Sequence, residues 1–390
     1  MSAQAWIVLE DTRANQKSHP GLLFRHPIDE VICWHEADVA LCLQRLDAFK
    51  RQGYCVAGFI SYEASYVLTK QSRCDHDASF PLLHFLVFGK IERLTPADIE
   101  QQLIQFGAEE CSDFTVDAWC LNISAGEYEQ LFHCIKQHLE DGDVYQLNLT
   151  AKYGFDFCGS ALSLYRRLRR AQKVAYAGVL NMGSYQILTL SPELFFSKKG
   201  SRMQTKPMKG TAKRGVNAFD DEVQKNSLST CAKNRAENIM IVDLLRNDLA
   251  VFSKPRSITT PNLFEVETYQ SLHQMVSTVE SEVDESTDFA TIINALFPCG
   301  SITGAPKRRT VEIIAQLEHE PRRIYTGAIG YLLPNNDMCF NVAIRTVLIQ
   351  NGCGELGVGG GIVHDSTWAS EFAEMQLKAQ FFSHALTLTE

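Results

Sequence analysis

The chain has 390 residues, of which 45% are hydrophobic and 21% are charged, and its formal net charge is -9. This composition is typical of a globular protein with a sizeable core, and the acidic excess disfavours binding to nucleic acid or to an anionic membrane surface. No apolar run is long enough to span a bilayer, the first residues do not resemble a signal peptide, and the twelve cysteines form no CxxC pairs. These features predict a cytoplasmic protein with free thiols.

Strand-like and helical patterns follow one another along the chain without a linker that would separate domains. Strands are predicted within 54–63, 82–89, 175–199, 328–350 and 354–363. Helical periodicity covers 125–140, 219–249, 286–297, 306–318 and 367–386. Turn residues at 181–184 and 334–337 divide two of the strand-like runs, which predicts antiparallel hairpins. The order of elements indicates an α+β fold with antiparallel sheets, and the absence of GxGxxG disfavours a dinucleotide-binding fold.

The stretch Lys206–Gly215, KPMKGTAKRG, gathers four cations in an acidic chain. Pro207 restricts the backbone around it, while Gly210 permits a sharp turn and a close approach by a ligand. Lys209 therefore lies at a bend where its amine can be aimed. A lysine amine is nucleophilic near pH 7 only if its pKa falls well below about 10.4. The stretch alone fits either a solvated basic loop or a site with a reactive lysine.

Two helical segments place carboxylates beside an apolar stripe. Glu237 flanks the stripe of 237–249, and Glu371, Glu374 and Lys378 stack beside the stripe of 367–386. In isolation these could be an acid favoured by the helix dipole and a surface ion pair worth about 0.2–0.5 kcal/mol. Two helical glutamates could also hold Mg²⁺, which takes one or two protein carboxylates and completes its shell with water and substrate oxygens.

Two glycine-rich segments offer backbone N–H groups to an anion. Gly357, Gly359, Gly360 and Gly361 follow a short strand, and successive N–H groups there could line an anion-binding concavity. GSITGAPKRR, 300–309, leads through Pro306 into a helix N-terminus, which also favours anions. Neither segment has the spacing of a nucleotide-phosphate loop. Together with the cations and the glutamates, these segments point to a substrate with two carboxylates.

The motifs as an ordered set resemble the chorismate-utilising enzymes. The resemblance rests on SPELFF (191–196), PMKGT (207–211), ENIMIVDLLRNDL (237–249), GSITGAPK (300–307), YTGAIGY (325–331), FNVAIRT (340–346), GVGGGIV (357–363) and EFAEMQLK (371–378). It runs from about residue 120 to the C-terminus. It implies two antiparallel sheets packed face to face with helices outside, in a single domain over 1–390 with a shortened N-terminal part, 1–120, and a catalytic core, 121–390.

Two positions distinguish branches of this family. Anthranilate synthases carry alanine where this chain has Lys209, and isochorismate and salicylate synthases carry a lysine base at the position that resembles Gln146. The resemblance therefore implies the aminodeoxychorismate synthase branch, which converts chorismate to 4-amino-4-deoxychorismate on the route to p-aminobenzoate and folate. The alternatives are an anthranilate synthase component I, which also releases pyruvate, and a chorismate sensor without turnover.

The resemblance also implies roles for single residues. Lys209 would attack C2 of chorismate while a protonated Glu193 donates to the departing C4 hydroxyl, and Arg345 and Tyr325 would clamp the enolpyruvyl carboxylate. Mg²⁺ would be held by Glu237 and Glu374, with Glu371 joining through water. Further contacts to the substrate would come from Gly210, Thr211, His273, Gly359, Gly360, Gly361 and Lys378. Because the chain lacks a nucleophile-elbow cysteine, ammonia would come from solution or from a separate glutamine amidotransferase subunit.

Overall fold

The computed structural model describes residues 5–13, 21–71, 79–107, 114–269 and 272–387. The strands in these ranges are β1 (Trp6–Glu10), β2 (Gly21–Arg25), β3 (Asp29–Cys33), β4 (Cys55–Ile60), β5 (Leu83–Phe88), β6 (Glu92–Leu94), β7 (Phe114–Leu121), β8 (Gln146–Gly159), β9 (Tyr176–Asn181), β10 (Tyr185–Ser191), β11 (Leu194–Lys199), β12 (Arg202–Lys206), β13 (Met208–Lys213), β14 (Thr259–Thr268), β15 (Leu272–Glu282), β16 (Gly304–Ala305), β17 (Ala328–Leu332), β18 (Met338–Val342), β19 (Thr346–Gln350) and β20 (Cys353–Ile362). The helices are α1 (Val39–Arg51), α2 (Ala64–Leu68), α3 (Pro96–Gln105), α4 (Ala125–Glu140), α5 (Ala161–Ala171), α6 (Ala218–Thr230), α7 (Ala232–Ala250), α8 (Phe289–Leu296), α9 (Lys307–Leu317) and α10 (Trp368–Thr387).

The strands form two sheets. In the first sheet the order is β16-β8-β20-β19-β10-β9-β1-β2-β6, with β7 also paired to β8. In the second sheet the order is β13-β15-β12-β11-β18-β17-β4-β5-β3, with β14 also paired to β15. The strand pairs recorded in the described ranges are antiparallel. The prediction of an α+β fold built on antiparallel sheets is confirmed.

Three apolar clusters define the layers. One lies between the sheets and joins Ile7 and Ile187 of the first sheet to Phe59 and Ile329 of the second. A second cluster packs α4, α5, α9 and α10 on the outer face of the first sheet, and a third packs α1, α7 and α8 on the outer face of the second. The sheets thus lie face to face with helices outside, because central strands such as β4 and β5 are buried on both faces, one against the partner sheet and the other against a helix layer.

Most of the predicted elements are present with small shifts of their ends. Helices α4, α8, α9 and α10 match 125–140, 286–297, 306–318 and 367–386, and both hairpins form at the predicted turns. The single helix predicted over 219–249 is wrong, because the chain leaves the helical conformation at Cys231 and forms α6 and α7. The reason lies in the packing: α7 buries its predicted stripe of Asn238, Ile241, Val242, Leu245 and Leu249, whereas α6 buries only Leu228.

The N-terminal part contributes strands to both sheets. Strands β1, β2 and β6 extend the first sheet, and β3, β4 and β5 extend the second. The pairing of β4 with β17 and of β1 with β9 joins this part to the core through continuous ladders. In the part of the chain that the structure describes, no helix combines the length and the apolar character needed to cross a bilayer.

Candidate active site

Lys209 stands on β13 at the edge of the second sheet and reaches the first sheet. A bulge between Met208 and Thr211 and a left-handed Gly210, with φ 88°, distort the strand at this position. A methyl group placed on Gly361 of β20 would lie 3.0 Å from Lys209 Nζ and 3.0 Å from the Nε2 atom of Gln146. The lysine amine, the Gln146 amide and the glycine strand therefore meet in one place.

The electrostatics around Lys209 favour its neutral form. Burial lowers the pKa of its amine, and the nearby cation Lys378 lowers that pKa further, while Glu237, Glu193 and Glu374 oppose the change. The net direction is downward. A desolvated lysine beside a second cation is one of the arrangements that activates an amine as a nucleophile.

Glu193 lies between β10 and β11 with only 3% of its surface exposed. The hydroxyl of Ser301 donates a hydrogen bond of 2.6 Å to its Oε1 atom, and the backbone N–H of Met208 also donates to the carboxyl group. Burial nevertheless dominates and raises the pKa of Glu193 to about 7. Near neutral pH a large share of this carboxyl carries a proton, which is the state that a general acid needs.

Gln146 begins β8 and is completely buried. Within the described ranges neither its Oε1 nor its Nε2 atom has a hydrogen-bond partner. A buried amide without partners is costly, since each unmet group forfeits its hydration. The amide beside Gly361 and Lys209 is therefore available to a ligand.

The three glutamates that were predicted to serve a metal come from two helices. Glu237 lies on α7, whereas Glu371 and Glu374 lie on α10. Burial raises the pKa of Glu237 and of Glu371, whereas Lys378, which contacts Glu374 at 2.9 Å, holds the pKa of Glu374 below its usual value. Among the residues that the structure describes, no group of three or more His, Cys, Asp or Glu side chains is arranged to hold a metal. Two carboxylates from separate helices still match the protein share of a Mg²⁺ shell.

The glycine strand differs from the prediction. Gly357–Gly361 belong to β20 and pair with β8, so their N–H groups do not line a concavity one after another. Thr150 lies opposite Gly359 and donates its N–H to Glu318, not to β20, so Gly359 turns its own N–H and carbonyl to the edge of β20 away from β8, where Lys378 donates to that carbonyl at 2.9 Å. Because edges alternate along a strand, Gly361 shares the open edge with Gly359, and Gly360 faces β8. The expected N–H donation by Gly360 is therefore corrected: the open edge belongs to Gly359 and Gly361.

The predicted carboxylate clamp is not joined by direct contacts. Arg345 has a left-handed backbone with φ 50°, its Nη1 donates to Gln172 Oε1 at 3.1 Å, and burial lowers its pKa. Tyr325 packs against Gly357 and lines a cavity of about 300 Å³ that it shares with Lys152. In the described ranges no hydrogen bond links Tyr325 to Arg345. Their joint role stays a prediction.

His273 and Thr211 have partners away from the lysine amine. The His273 ring lies 2.9 Å from Asp221 of α6 through Nε2 and 3.0 Å from Thr268 of β14 through Nδ1. Thr211 is exposed, and its hydroxyl donates to Gln274 at 3.1 Å. These contacts hold α6 and the β13–β15 pair beside the site. A role at the substrate ring remains a prediction for both residues.

Ser301 contacts the buried carboxyl of Glu193, and the sequence does not indicate this contact. In the sequence it stands within the glycine turn 300–309, which is predicted to receive a substrate anion. In the structure the 3-10 turn Gly300–Ile302 instead delivers the Ser301 hydroxyl to a carboxyl group of the protein itself, Glu193. The only available signal was a hydroxyl within a glycine-rich turn, and that signal does not name a partner 108 positions away.

Comparison with known proteins places the chain in a family. The family described as chorismate binding enzyme matches residues 5–384. The chain belongs to this family. It is 33% identical over 361 residues to the aminodeoxychorismate synthase component 1 of Bacillus subtilis (strain 168), which covers 85% of this chain and 77% of that protein. It is 38% identical over 269 residues to the protein of the same name from Klebsiella aerogenes, and this match covers 69% of the chain but 60% of the relative.

Solved structures support the fold of this chorismate-binding enzyme. The anthranilate synthase component I from Streptococcus pneumoniae TIGR4 superposes with a TM-score of 0.80 at 24% identity, covering 95% of this chain and 93% of that one. The menaquinone-specific isochorismate synthase from Escherichia coli superposes with a TM-score of 0.76 at 15% identity, covering 99% and 90%. Members with different reactions share this fold, so the reaction has to be argued from the residues of the site.

Proposed function

We propose that the chain converts chorismate and ammonia to 4-amino-4-deoxychorismate through a covalent adduct on Lys209. The observation that supports this most directly is the pairing of a desolvated lysine amine with Glu193, a buried carboxyl of pKa about 7. The amine would supply the nucleophile and the carboxyl would supply the proton. The curated relatives named aminodeoxychorismate synthase component 1 support the same reaction.

The proposed steps balance without an added oxidant or reductant. The neutral Lys209 amine forms a bond to C2 of chorismate, both double bonds of the ring diene shift by one position (C1=C2 to C1=C6 and C5=C6 to C4=C5), and the C4–oxygen bond breaks as Glu193 donates its proton, so that water leaves. Ammonia then forms a bond to C4, both double bonds shift back, and the C2–nitrogen bond breaks to release Lys209. The proton that ammonia gives up restores Glu193. The enolpyruvyl group is retained throughout.

The remaining polar groups would orient the substrate. Glu237 and Glu374 would hold Mg²⁺, with Glu371 acting through water, and the ion would neutralise the ring carboxylate and draw electron density from the diene. Arg345 would meet the enolpyruvyl carboxylate, for which a bidentate guanidinium is the natural partner. The unpartnered amide of Gln146 supports a polar contact on the same face as the lysine amine.

The ammonia source is proposed to be a second protein. Relatives carry the designation component 1, which supports a partner component. That partner would be a glutamine amidotransferase that hydrolyses glutamine and delivers ammonia. High ammonium concentrations should replace it, because the adduct needs only free ammonia at C4.

The test is product analysis by mass spectrometry after incubation with chorismate, Mg²⁺ and excess ammonium at mildly alkaline pH. The expected product has the hydroxyl replaced by an amine and keeps the enolpyruvyl group. Anthranilate with pyruvate would instead identify the rival reaction, and chorismate bound for hours without conversion would identify a sensor. Omitting ammonium should leave the dehydrated substrate attached to the peptide that contains Lys209.

Lys213→Ala provides a matched control for Lys209→Ala, because Lys213 is an exposed lysine on the same strand. Lys209→Ala should abolish amination and adduct formation, whereas Lys213→Ala should retain both. Equal amination by the two variants would refute the covalent route.

A further inference from the structure

Arg322 lies outside the motifs of the family resemblance, yet its buried side chain has polar contacts with several segments near the site. Only 3% of its surface is exposed. Its side chain forms two hydrogen bonds of 2.7 Å with Glu318, one from Nε and one from Nη2. The guanidinium also lies 4.3 Å above the Tyr62 ring, and Glu63 accepts the backbone N–H of Arg322 at 2.7 Å.

The remaining N–H groups of Arg322 reach three separate segments of the chain. Nη2 donates to the carbonyl of Asn148 at 2.7 Å, and Nη1 donates to the carbonyl of Ile302 and to the Thr326 hydroxyl, each at 3.3 Å. Its five side-chain N–H groups are thus matched by five contacts, which a planar guanidinium permits and an ammonium does not.

Each of the three segments carries one residue of the proposed reaction. Ile302 follows Ser301, which donates to Glu193. Asn148 pairs in register with Gly361 and lies two residues after Gln146 on β8. Thr326 follows Tyr325. The Arg322 side chain therefore fixes the relative positions of three segments. They carry Ser301, which donates to Glu193; Gln146 and Gly361, which lie beside Lys209; and Tyr325, which belongs to the predicted carboxylate clamp.

Glu318 completes the arrangement on the other side of Arg322. Its Oε1 atom accepts the backbone N–H and the hydroxyl of Thr150, each at 2.9 Å. Along this edge of β8, β16 pairs with Gln146 and Leu147, and β7 pairs from Tyr153 onward. The Arg322–Glu318 pair thus takes the place of strand pairing in the gap between them. Beside it, the Asn148 N–H donates to the carbonyl of Thr303 at 2.8 Å and the Lys152 N–H donates to Asn122 Oδ1 at 2.9 Å, so the pair supplies the contacts of the Asn148 carbonyl and the Thr150 N–H on this edge.

We infer that Arg322 is a positioning residue of the proposed reaction, which acts through the segments that carry Ser301, Gln146 and Tyr325. This inference rests on the proposed function for the identity of those three groups. Misplacement of catalytic groups by about 1 Å costs about 100-fold in rate. A guanidinium that sets three such segments at once should therefore affect turnover far more than substrate binding.

The test compares Arg322→Lys with the double variant Arg322→Met/Glu318→Gln. The double variant removes both charges, so it leaves no buried ion without a partner and can fold even if the lysine variant does not. Arg169→Lys is the matched control, because Arg169 contacts the buried carboxylate of Glu10 at 2.8 Å in a comparable ion pair of α5. Folding is checked by circular dichroism and urea unfolding.

We expect kcat with ammonium to fall about 10- to 100-fold in folded Arg322 variants, with a smaller change in the KM for chorismate. The alkaline limb of the pH–rate profile should also move to higher pH. A displaced Ser301 no longer favours the charged form of Glu193, so the pKa of that carboxyl should rise. The other groups that face Glu193, Lys209 and Cys299, are unaltered in these variants. Arg169→Lys should leave both kcat and the alkaline limb of the pH–rate profile unchanged.

Hydrogen exchange supplies a readout that does not require turnover. Peptides covering 146–150, 300–304 and 325–328 should exchange faster in the Arg322 variants than in the wild type and in Arg169→Lys. Unchanged exchange in these peptides, or an activity loss that merely follows the folded fraction with an unmoved alkaline limb, would overturn the inference. A wild type that gives no aminated product would overturn the proposed function instead, and exchange would still decide on Arg322.

Discussion

Glu193 should make the native protein less stable at alkaline pH, and Glu193→Gln should remove that effect. Burial raises the pKa of this carboxyl from 4.5 to about 7. The native state therefore holds the proton more tightly than the unfolded chain, so the stabilisation is complete below the unfolded pKa and is lost as the pH rises through the native value. The difference, about 7 minus 4.5, corresponds to about 3 kcal/mol at 1.36 kcal/mol for each pKa unit.

Glutamine is neutral at every pH and keeps the shape of the protonated acid. The side-chain amide of the Glu193→Gln variant can still accept the Ser301 hydrogen bond, so the two proteins should have similar stability near pH 4, where the carboxyl of the native wild type is protonated. Near pH 8.5 we expect the variant to exceed the wild type by about 3 kcal/mol in free energy of unfolding, while it loses amination activity because it has no proton to donate.

Urea unfolding near pH 4, 6 and 8.5 measures this difference directly, and comparing pH values cancels any effect of the amide on packing. Glu140→Gln, at an exposed position at the end of α4, is the control for a change of net charge. A Glu193→Gln variant with the same advantage at every pH, or with none near pH 8.5, would refute the assignment of Glu193 as a buried proton donor.

Three other predictions follow from the same contacts. Ser301→Ala removes the 2.6 Å hydrogen bond that favours the charged form of Glu193. The alkaline limb of the pH profile of kcat/KM, measured at constant free ammonia, should therefore shift to higher pH by about one unit. Asp47→Asn should lower the free energy of unfolding by about 2–4 kcal/mol in urea titrations, because Asp47 is buried, contacts Lys50 at 2.8 Å and accepts two N–H groups at the start of α8. Removal of divalent ions with a chelator should abolish amination until Mg²⁺ is restored, and Glu374→Gln should raise the Mg²⁺ concentration required for half of the maximal rate, as measured by titration.

The parts of the fold that were predicted correctly are those with a clear local period. The stripe of α7 and the turn at 334–337 identify their elements without reference to the rest of the chain. Strand β8, which the prediction omits, has an equally clear period. Its buried residues alternate with polar residues or glycine: Leu147, Leu149, Ala151, Tyr153, Phe155 and Phe157. The break at Cys231 had no such signal, because α6 and α7 are separated by what each packs against and not by a helix-breaking residue.

For the candidate site, the sequence indicates the reacting groups but not the contacts that control their charges. The family resemblance implies Lys209 and Glu193 as the reacting groups and marks Gln146 only as the position where a lysine base is absent. The structure brings the three side chains together from both sheets. What neither periodicity nor motif could supply is how their charges are controlled, because Ser301 acts across 108 positions and Arg322 across 174. Such contacts are defined only when the sheets close. A motif can therefore specify which groups react, whereas the pKa of Glu193 depends on the closed fold, and the stability that this fold loses as the pH rises from about 4.5 to about 7 is the measurable sign of that dependence.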